Sequence, residues 1–472
     1  MQEYGLFIDG KWLVTEKKLS VTGKATGKEI ARISVAGEAE VTQAVNAAEK
    51  AFKTIKMEPY KRYEVLLKAS QLLKQNQKKM AEILSQEVGK PIKEAMAEVA
   101  RAEQTLILSA EEAKRLTGEM VPLAGAPGCE NRWAFTMRLP VGIVCAITPF
   151  NFPLNLSCHK IGPAIAAGNA VVYKPATVTP LSGILLCEIF AEAGLPDGYL
   201  NLVTGSGSQV GKLLTADERI GFYSFTGSPS VGKTLLNNAG FRRVALELGS
   251  NSANIVHHDA DIPATAELCA KYAFANAGQV CISCQRVYVH RRVYQEFCDR
   301  AVAYAQKLVI GDPLDPATDM GPMISMEEAA RTEEWIQAAV AQGARVLTGG
   351  KRRDSWFEPT ILTDVRPDMN VVCLEAFAPI FSIIPYDTIE EAIDQVNNSV
   401  YGLQAGVFTQ SLDIARLCAV RIETGGVIIN DGATFRTDNM PYGGIKESGI
   451  GKEGPQYAVK EMTEEKLIVF KF

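Results

Sequence analysis

Apolar and polar positions along this chain follow two periods, and the change from one to the other marks out its elements. Phe7-Ile8-Asp9-Gly10-Lys11-Trp12 sets two short apolar runs around an Asp-Gly turn, which predicts a hairpin. From Glu38 the spacing becomes helical: Val41, Val45, Ala48 and Phe52 recur on one face, behind acidic residues suited to a helix N-terminus. Two further helical stretches run from Tyr60 to about Lys74 and from Met80 to about Leu116, the second interrupted near Gly89 and Pro91. Gly125-Ala126-Pro127-Gly128 reads as a loop, and Asn131 to Leu139 as an exposed strand.

The texture changes at Val141. Val141–Ile147, Val171–Pro175, Tyr199–Thr204 and Tyr223–Gly227 are short apolar runs of the kind found in strands buried on both faces. Helical stretches at Leu181–Ala193 and Val231–Ala239 are interleaved with them. That alternation predicts an α/β fold with a parallel sheet and right-handed crossovers. A second α/β series is expected from Ser252 to about Gly444, with strands at Arg286–His290, Val346–Leu347, Phe381–Pro385 and Val427–Asn430. Its helices include Glu327–Ala341 and Ile389–Asn397. Asn439 to Gly454 is a glycine-rich structured loop, and the tail Lys466–Phe472 alternates as an edge strand does, open to pairing with another chain.

Composition narrows the class. A chain of 472 residues exceeds a single core and divides into two or three domains. With 47% hydrophobic and 22% charged residues and a net charge of −5, it resembles a soluble enzyme and not a partner of nucleic acid or anionic membrane. No apolar run reaches the roughly 18 residues of a membrane span, and Glu3 and Asp9 interrupt the only apolar stretch near the start, so no secretory signal is expected. Ten cysteines without a regular framework fit a reducing cytoplasm. Four histidines (His159, His257, His258, His290) and no HExxH give no expectation of a metal.

Candidate chemistry centres on Phe274–Arg286, FANAGQVCISCQR. Cys281 lies among small and polar residues, whereas a packing thiol usually sits in an apolar run. Upstream are Glu247, between Leu246 and Leu248, and Asn151, within the turn Thr148-Pro149-Phe150-Asn151-Phe152-Pro153. A thiol, a carboxylate and an amide donor suffice to attack a carbonyl, hold the oxyanion and admit water. The plainer readings are a packed thiol or a Cys281–Cys284 redox pair, an ordinary loop acid, and a turn-stabilising amide.

The segments PFNFP, YKPATVTP, FTGSPSVGK, ALELGSNSANIV, GQVCISCQR, LEAFAP and MPYGGIKESGIGKEG occur in the order and approximate spacing of one family. Over essentially its whole length the chain resembles the NAD(P)-dependent aldehyde dehydrogenase superfamily. Within it the chain is most similar to the lactaldehyde and non-phosphorylating glyceraldehyde-3-phosphate dehydrogenase type. The resemblance implies a Rossmann-type dinucleotide domain (1–120 and 141–249), an α/β catalytic domain (250–444) and a small β oligomerisation flap (121–140 and 455–472). It implies Cys281 as nucleophile, Glu247 as the base that activates water, and Asn151 with the Cys281 N–H as oxyanion donors. For the NAD or NADP cofactor it implies Thr148, Pro149, Lys174, Thr177, Gly205, Gly227, Ser228, Val231, Leu248, Glu375 and Phe377. Here a helix N-terminus at Gly227–Gly232 stands in for the usual glycine fingerprint. His159 and Arg436 are candidate substrate contacts, against a core histidine and a solvated surface arginine; Arg286 more simply supports its strand. The implied assembly is a homodimer or homotetramer, with no metal and no nucleic-acid or membrane partner.

Two departures refine the expectation. Thr177 stands where many NAD-using members carry Glu, which removes a repulsion against a 2′-phosphate and points toward NADP. Val280 stands where phosphate- and phosphonate-handling relatives carry Arg, which favours lactaldehyde or its sulfonated analogue over glyceraldehyde 3-phosphate or phosphonoacetaldehyde. Glu247 speaks for a free acid product over an acyl-CoA, and the three groups together speak against a non-catalytic scaffold. Succinate semialdehyde remains an alternative substrate.

Overall fold

The structure is a computed structural model and describes residues 2–472. Five of its strands are parallel neighbours and almost wholly buried, which is why their sequences run apolar without alternation: Ile143–Ile147, Ala170–Lys174, Leu200–Leu202, Ile220–Thr226 and Arg243–Glu247. Counted in chain order, they lie fifth, fourth, first, second, third across the sheet. This is the order of a doubly wound nucleotide-binding sheet, in which a crevice opens where the winding reverses, between the first and fourth strands. Register brings Ile147 beside Lys174 and Phe225, and Thr226 beside Glu247, so four segments named from sequence end on one side of the sheet.

The hairpin Leu6–Ile8 and Lys11–Leu13 extends this sheet at one edge, and Gly449–Ile450, inside the glycine-rich loop, extends it at the other. The first strand starts at Ile143 and not Val141, because Gly142 takes a left-handed φ of 110° and breaks the run. A second, seven-stranded sheet has the order Arg345–Thr348, Thr360–Thr363, Ile380–Tyr386, Arg286–His290, Ala253–Val256, Gln404–Phe408, Gly426–Ile429. Only Arg345–Thr348, at its edge, runs antiparallel. Separate apolar cores lie under the two sheets, one built mainly from residues 6–248 and one from 256–408.

Thr463–Lys471 pairs antiparallel with Arg132–Pro140 over nine residues, with Met120–Val121 on the far side. The outer edge of Thr463–Lys471 has no strand partner among the described residues, and Leu467, Val469, Phe470, Phe472 and Trp133 are exposed beside it. A three-stranded sheet, Gln2–Tyr4, Glu29–Ser34 and Lys18–Thr22, was not legible from the pattern. Neither was the Asn155–Ala167 helix, every residue of which is buried, so that no polar face marks its period.

The helices Glu38–Thr54, Pro59–Gln75, Gln77–Val88 and Ile92–Ala113 follow the expected pattern, the break falling at left-handed Gly89 and at Pro91. The last of them sets the geometry described next. From it, half-buried Glu94 accepts a hydrogen bond from the Asn276 N–H at 3.0 Å. One turn later, Glu98 accepts from the N–H groups of Leu154 and Asn155 at 3.0 and 3.2 Å and pairs with buried Lys90. Carboxylates thus satisfy backbone donors that would otherwise be left unpaired out of water. No helix among the described residues is long and apolar enough to cross a membrane.

Candidate active site

The loop before Cys281 is bent by three successive left-handed residues, Asn276, Ala277 and Gly278, with φ of 49°, 54° and 69°. For the two that carry a Cβ this costs about 1–2 kcal/mol each. The surroundings hold the bend. Asn276 is fixed by Glu94 and, through Nδ2, by the carbonyls of Asn151 and Gln279 at 3.3 Å. The Gln279 side chain accepts from the Ile324 N–H at 2.9 Å. At Gly278 a Cβ would lie 1.9 Å from the Ala378 carbonyl oxygen, so only glycine fits. Small residues before the nucleophile therefore serve backbone geometry.

The bend delivers a half-buried Cys281 thiol to the wall of a cavity. Its Sγ lies 3.0 Å from the hydroxyl of Tyr442. Burial pushes the thiol up to about 11, against the hydrogen bond from Tyr442 and the nearby charge of Arg436. At neutral pH the resting group is thus a thiol, which needs a base to become nucleophilic. Asn151 lines the same cavity. Its Nδ2 donates to the Gln279 carbonyl at 2.9 Å and its Oδ1 accepts from the Phe152 N–H at 3.0 Å, which locks the amide and leaves its second N–H available.

Glu247 ends its strand on this cavity with 4% of its surface exposed, and its Oε2 has no hydrogen-bond partner among the described residues. Burial raises its pKa well above the carboxylate range, the charge of Glu453 adds to the rise, and Arg436, Lys160 and Lys452 oppose it. An acid so placed suits proton transfer near neutral pH. The glycine-rich loop allows the approach: a Cβ on Gly443 would sit 2.7 Å from Glu247 Oε1, and one on Gly449 2.2 Å from the Leu246 carbonyl oxygen.

The cavity measures about 1160 Å³ and extends from Cys281 across the crevice of the first sheet. Thr148, Pro149, Lys174, Thr177, Gly227, Ser228, Val231, Leu248, Glu375 and Phe377 all line it. Lys174 is buried and finds only the Pro175 carbonyl, at 3.3 Å; burial pushes it down to about 8. Such a half-satisfied cation suits an anionic or hydroxyl-rich ligand. Ser228 caps the Pro229–Ala239 helix without using its side chain there, which leaves free N–H groups at the crevice. Farther along the same wall, burial pushes Glu375 up to about 7 while it accepts from the Ser250 N–H at 3.0 Å. Gly249 gives it room, since a Cβ there would fall 2.3 Å from Oε2. Phe377 holds a left-handed φ of 48° and meets Phe150 edge-on at 5.7 Å.

Three expected residues lie off the cavity wall. Gly205, at φ 146°, turns its carbonyl to the Thr177 hydroxyl at 2.9 Å, and Gly207, Ser208 and Gly211 line the groove instead. His159 is buried with Nε2 2.9 Å from Asp438 Oδ1, and Asp438 also takes both arms of Arg101 at 2.8 and 3.1 Å. Burial and the charge of Arg436 push His159 down, which keeps it neutral. Arg436 is no solvated arginine: its side chain is 7% exposed, bound to Glu453 at 2.9 Å and stacked 3.7 Å from the centre of the Tyr442 ring. Arg436 meets the sulfur through the Tyr442 ring, and His159 lies behind it, 3.3 Å from Arg436 Nη2. Arg101, Lys160, Asp438, Tyr442 and Glu453 complete this network and were not singled out in the sequence. They reach it from segments 17 to 337 residues apart, and no local motif marks them. Cys284 is fully buried and accepts from Asn254 Nδ2 at 2.9 Å, a structural thiol.

A doubly wound sheet whose crevice leads to a thiol, a buried acid and a locked amide fits a dinucleotide-linked oxidoreductase. The chain belongs to the aldehyde dehydrogenase family, whose model matches residues 12–468. It is 52% identical to a 3-sulfolactaldehyde dehydrogenase from Priestia aryabhattai over 99% of this chain and 98% of that one. It is 43% identical to a lactaldehyde dehydrogenase from Methanococcus vannielii over 98% and 99%. The crystal structure of a glyceraldehyde-3-phosphate dehydrogenase from Methanocaldococcus jannaschii, complexed with NADP, superposes with a TM-score of 0.93 at 40% identity, covering 97% of this chain and all of that one.

Proposed function

We propose that the protein oxidises a short anionic hydroxyaldehyde of the 3-sulfolactaldehyde class, with lactaldehyde as its neutral counterpart, to the free carboxylic acid. The observation that carries the anionic preference is the set of cations behind Cys281. Arg101, Lys160 and Arg436 gather there with the carboxylates of Asp438 and Glu453, with Glu247 close by and His159 neutral between them. Burial alone would raise both carboxyls, but their partners hold them below the usual range: His159 and Arg101 at Asp438, Lys160 and Arg436 at Glu453. Both are therefore ionised, and the half-open Arg101 offers an anionic substrate a charged partner. The names of the relatives point the same way.

Each residue then has a task. Glu247 takes the thiol proton, the Cys281 sulfur attacks the aldehyde carbon, and the free N–H of Asn151 faces the oxygen that becomes charged. The Cys281 N–H, which finds no backbone acceptor among the described residues, is the second donor. A bound nicotinamide dinucleotide supplies the hydride acceptor that leaves a thioester on Cys281. Lys174 and the Gly227–Ser228 turn would hold its adenosine and pyrophosphate, and Glu375 with Phe377 its nicotinamide ribose. Once it has passed the thiol proton to solvent, Glu247 activates water to release the acid. In this reading 1–120 with 141–249 carries the dinucleotide and 250–444 the nucleophile. Segments 121–140 with 455–472 cover their bare apolar edge with a second copy in a dimer or a pair of dimers. Ten unpaired thiols suit a cytoplasmic setting.

NADP should be used at least as well as NAD. Around Thr177 and Lys174 the groove is lined by Val178, Gly207, Ser208, Gly211, Lys212 and Thr215, with no carboxylate among them. Thr177→Glu should shift the ratio of kcat/KM toward NAD by about tenfold or more, from lost charge complementarity alone. An unchanged ratio would show that position 177 does not face the ribose.

The substrate is tested with purified enzyme and a panel of 3-sulfolactaldehyde, lactaldehyde, glyceraldehyde 3-phosphate, phosphonoacetaldehyde and succinate semialdehyde, run with and without coenzyme A. Sulfolactaldehyde should give the highest kcat/KM, and the product should be free acid. Of the three cations, Arg101 is the most open, with 34% of its side chain exposed. Arg101→Met should therefore raise KM for sulfolactaldehyde by about 10-fold or more while sparing lactaldehyde. Equal losses on both substrates would remove the anion-binding argument.

A further inference from the structure

Tyr442 is buried, and among the described residues the only hydrogen-bonding neighbour of its hydroxyl is the Cys281 sulfur at 3.0 Å. Its placement is fixed from three sides. The backbone is tied in both directions to Glu453, N–H to carbonyl at 3.1 and 2.6 Å. The ring packs with Val280, Ile282 and Leu403. The Arg436 guanidinium covers its face at 3.7 Å and is itself anchored by Glu453, which Lys160 holds from the other side at 2.9 Å. A phenylalanine would satisfy every one of these packing contacts. The hydroxyl is the one atom that packing does not require, and it is directed at the reacting atom.

We propose that Tyr442 is a catalytic residue of this site: its O–H donates a hydrogen bond to the Cys281 sulfur and stabilises the thiolate, and Arg436 is a positioning residue that acts through the ring. A phenol offers one proton. A thiol is a weak acceptor for it and a thiolate a strong one, so the contact favours the ionised sulfur. A cation on the ring face draws electron density from the phenol and makes its O–H a better donor. The S–H proton passes to the Glu247 carboxylate, the sulfur lone pair forms the bond to the aldehyde carbon, and the phenol keeps its own proton throughout. Arg436, expected from sequence to hold the substrate anion, thus serves the nucleophile.

This inference rests on Cys281 being the nucleophile of the proposed reaction, and the test separates the two claims. The rate of alkylation of Cys281 by iodoacetamide is followed against pH by peptide mapping, in the parent chain and in Tyr442→Phe, with no aldehyde or cofactor present. Removing a hydrogen bond to a charged acceptor should move the midpoint up by on the order of one to two pH units. Alkylation at pH 7.5 should then fall by about tenfold or more, while the melting temperature stays within a few degrees. In turnover, the same variant should lose kcat/KM and keep the deacylation rate that depends on Glu247. A Tyr442→Phe profile superimposed on the parent's would overturn the proposal and leave the nucleophile standing. A parent Cys281 that resists alkylation at every pH would overturn both.

Discussion

Cys281→Ala should lower aldehyde oxidation by on the order of 10⁴-fold or more, while dinucleotide binding stays near the parental level. The two parts separate because the groove that receives the dinucleotide is built from other segments, Thr148–Asn151, Lys174–Val178, Gly227–Val231 and Glu375 with Phe377. Among the described residues, Cys281 is the one thiol that lines the cavity. Cys284, three residues on, is fully buried, and burial together with neighbouring Cys269 pushes it far above the ordinary thiol range. Cys145, Cys158 and Cys187 lie in the core of the first sheet. Initial rates with the preferred aldehyde, paired with a fluorescence titration of the reduced dinucleotide, check both halves. Residual turnover above about one per cent would mean that the covalent step lies elsewhere.

Glu247→Gln should part the two halves of the reaction. The first turnover should still release about one equivalent of reduced cofactor per site, and steady-state turnover should then fall by about 10²–10⁴-fold, the usual contribution of a positioned general base. The burst should be slower than the parent's, because the thiol also loses its proton acceptor. The pH dependence gives a second check. Burial raises the Glu247 pKa, and the active form is the carboxylate, so parental deacylation should climb as pH rises through that raised value. The glutamine variant should lose this limb. A rapid-quench experiment that found free acid formed at the parental rate would remove Glu247 from the mechanism.

Legibility in the sequence tracked how local each signal was. Four of the five parallel strands of the first sheet and three of the six in the second could be read because they are apolar on both faces and punctuated by helices; Arg243–Glu247, Ala253–Val256, Thr360–Thr363 and Gln404–Phe408 were not. Cys281, Glu247 and Asn151 sit in segments whose own composition is unusual. The Asn155–Ala167 helix could not be read, being buried all round with Pro163 inside it. The network behind the sulfur failed for a different reason. Asp438 meets Arg101 across 337 residues and His159 across 279, and Tyr442 meets Cys281 across 161. Nothing within any one segment marks these as neighbours. Arg436 illustrates the cost: its position beside a glycine-rich loop suggested an anchor for the substrate, whereas the fold folds it inward onto an aromatic ring.

The spacing of Glu94 and Glu98 along one rigid rod couples two loops that the chain itself keeps 125 residues apart. One carboxylate grips the bend that carries Cys281, the other grips the turn that carries Asn151, and roughly 6 Å of helical rise separates them. The distance between that sulfur and that amide is therefore metered by α-helical pitch. Loops and surface strands elsewhere can drift or lengthen without disturbing that gauge, but a single residue inserted between positions 94 and 98 would rotate one grip by about 100° relative to the other and put the two halves of the reaction out of alignment.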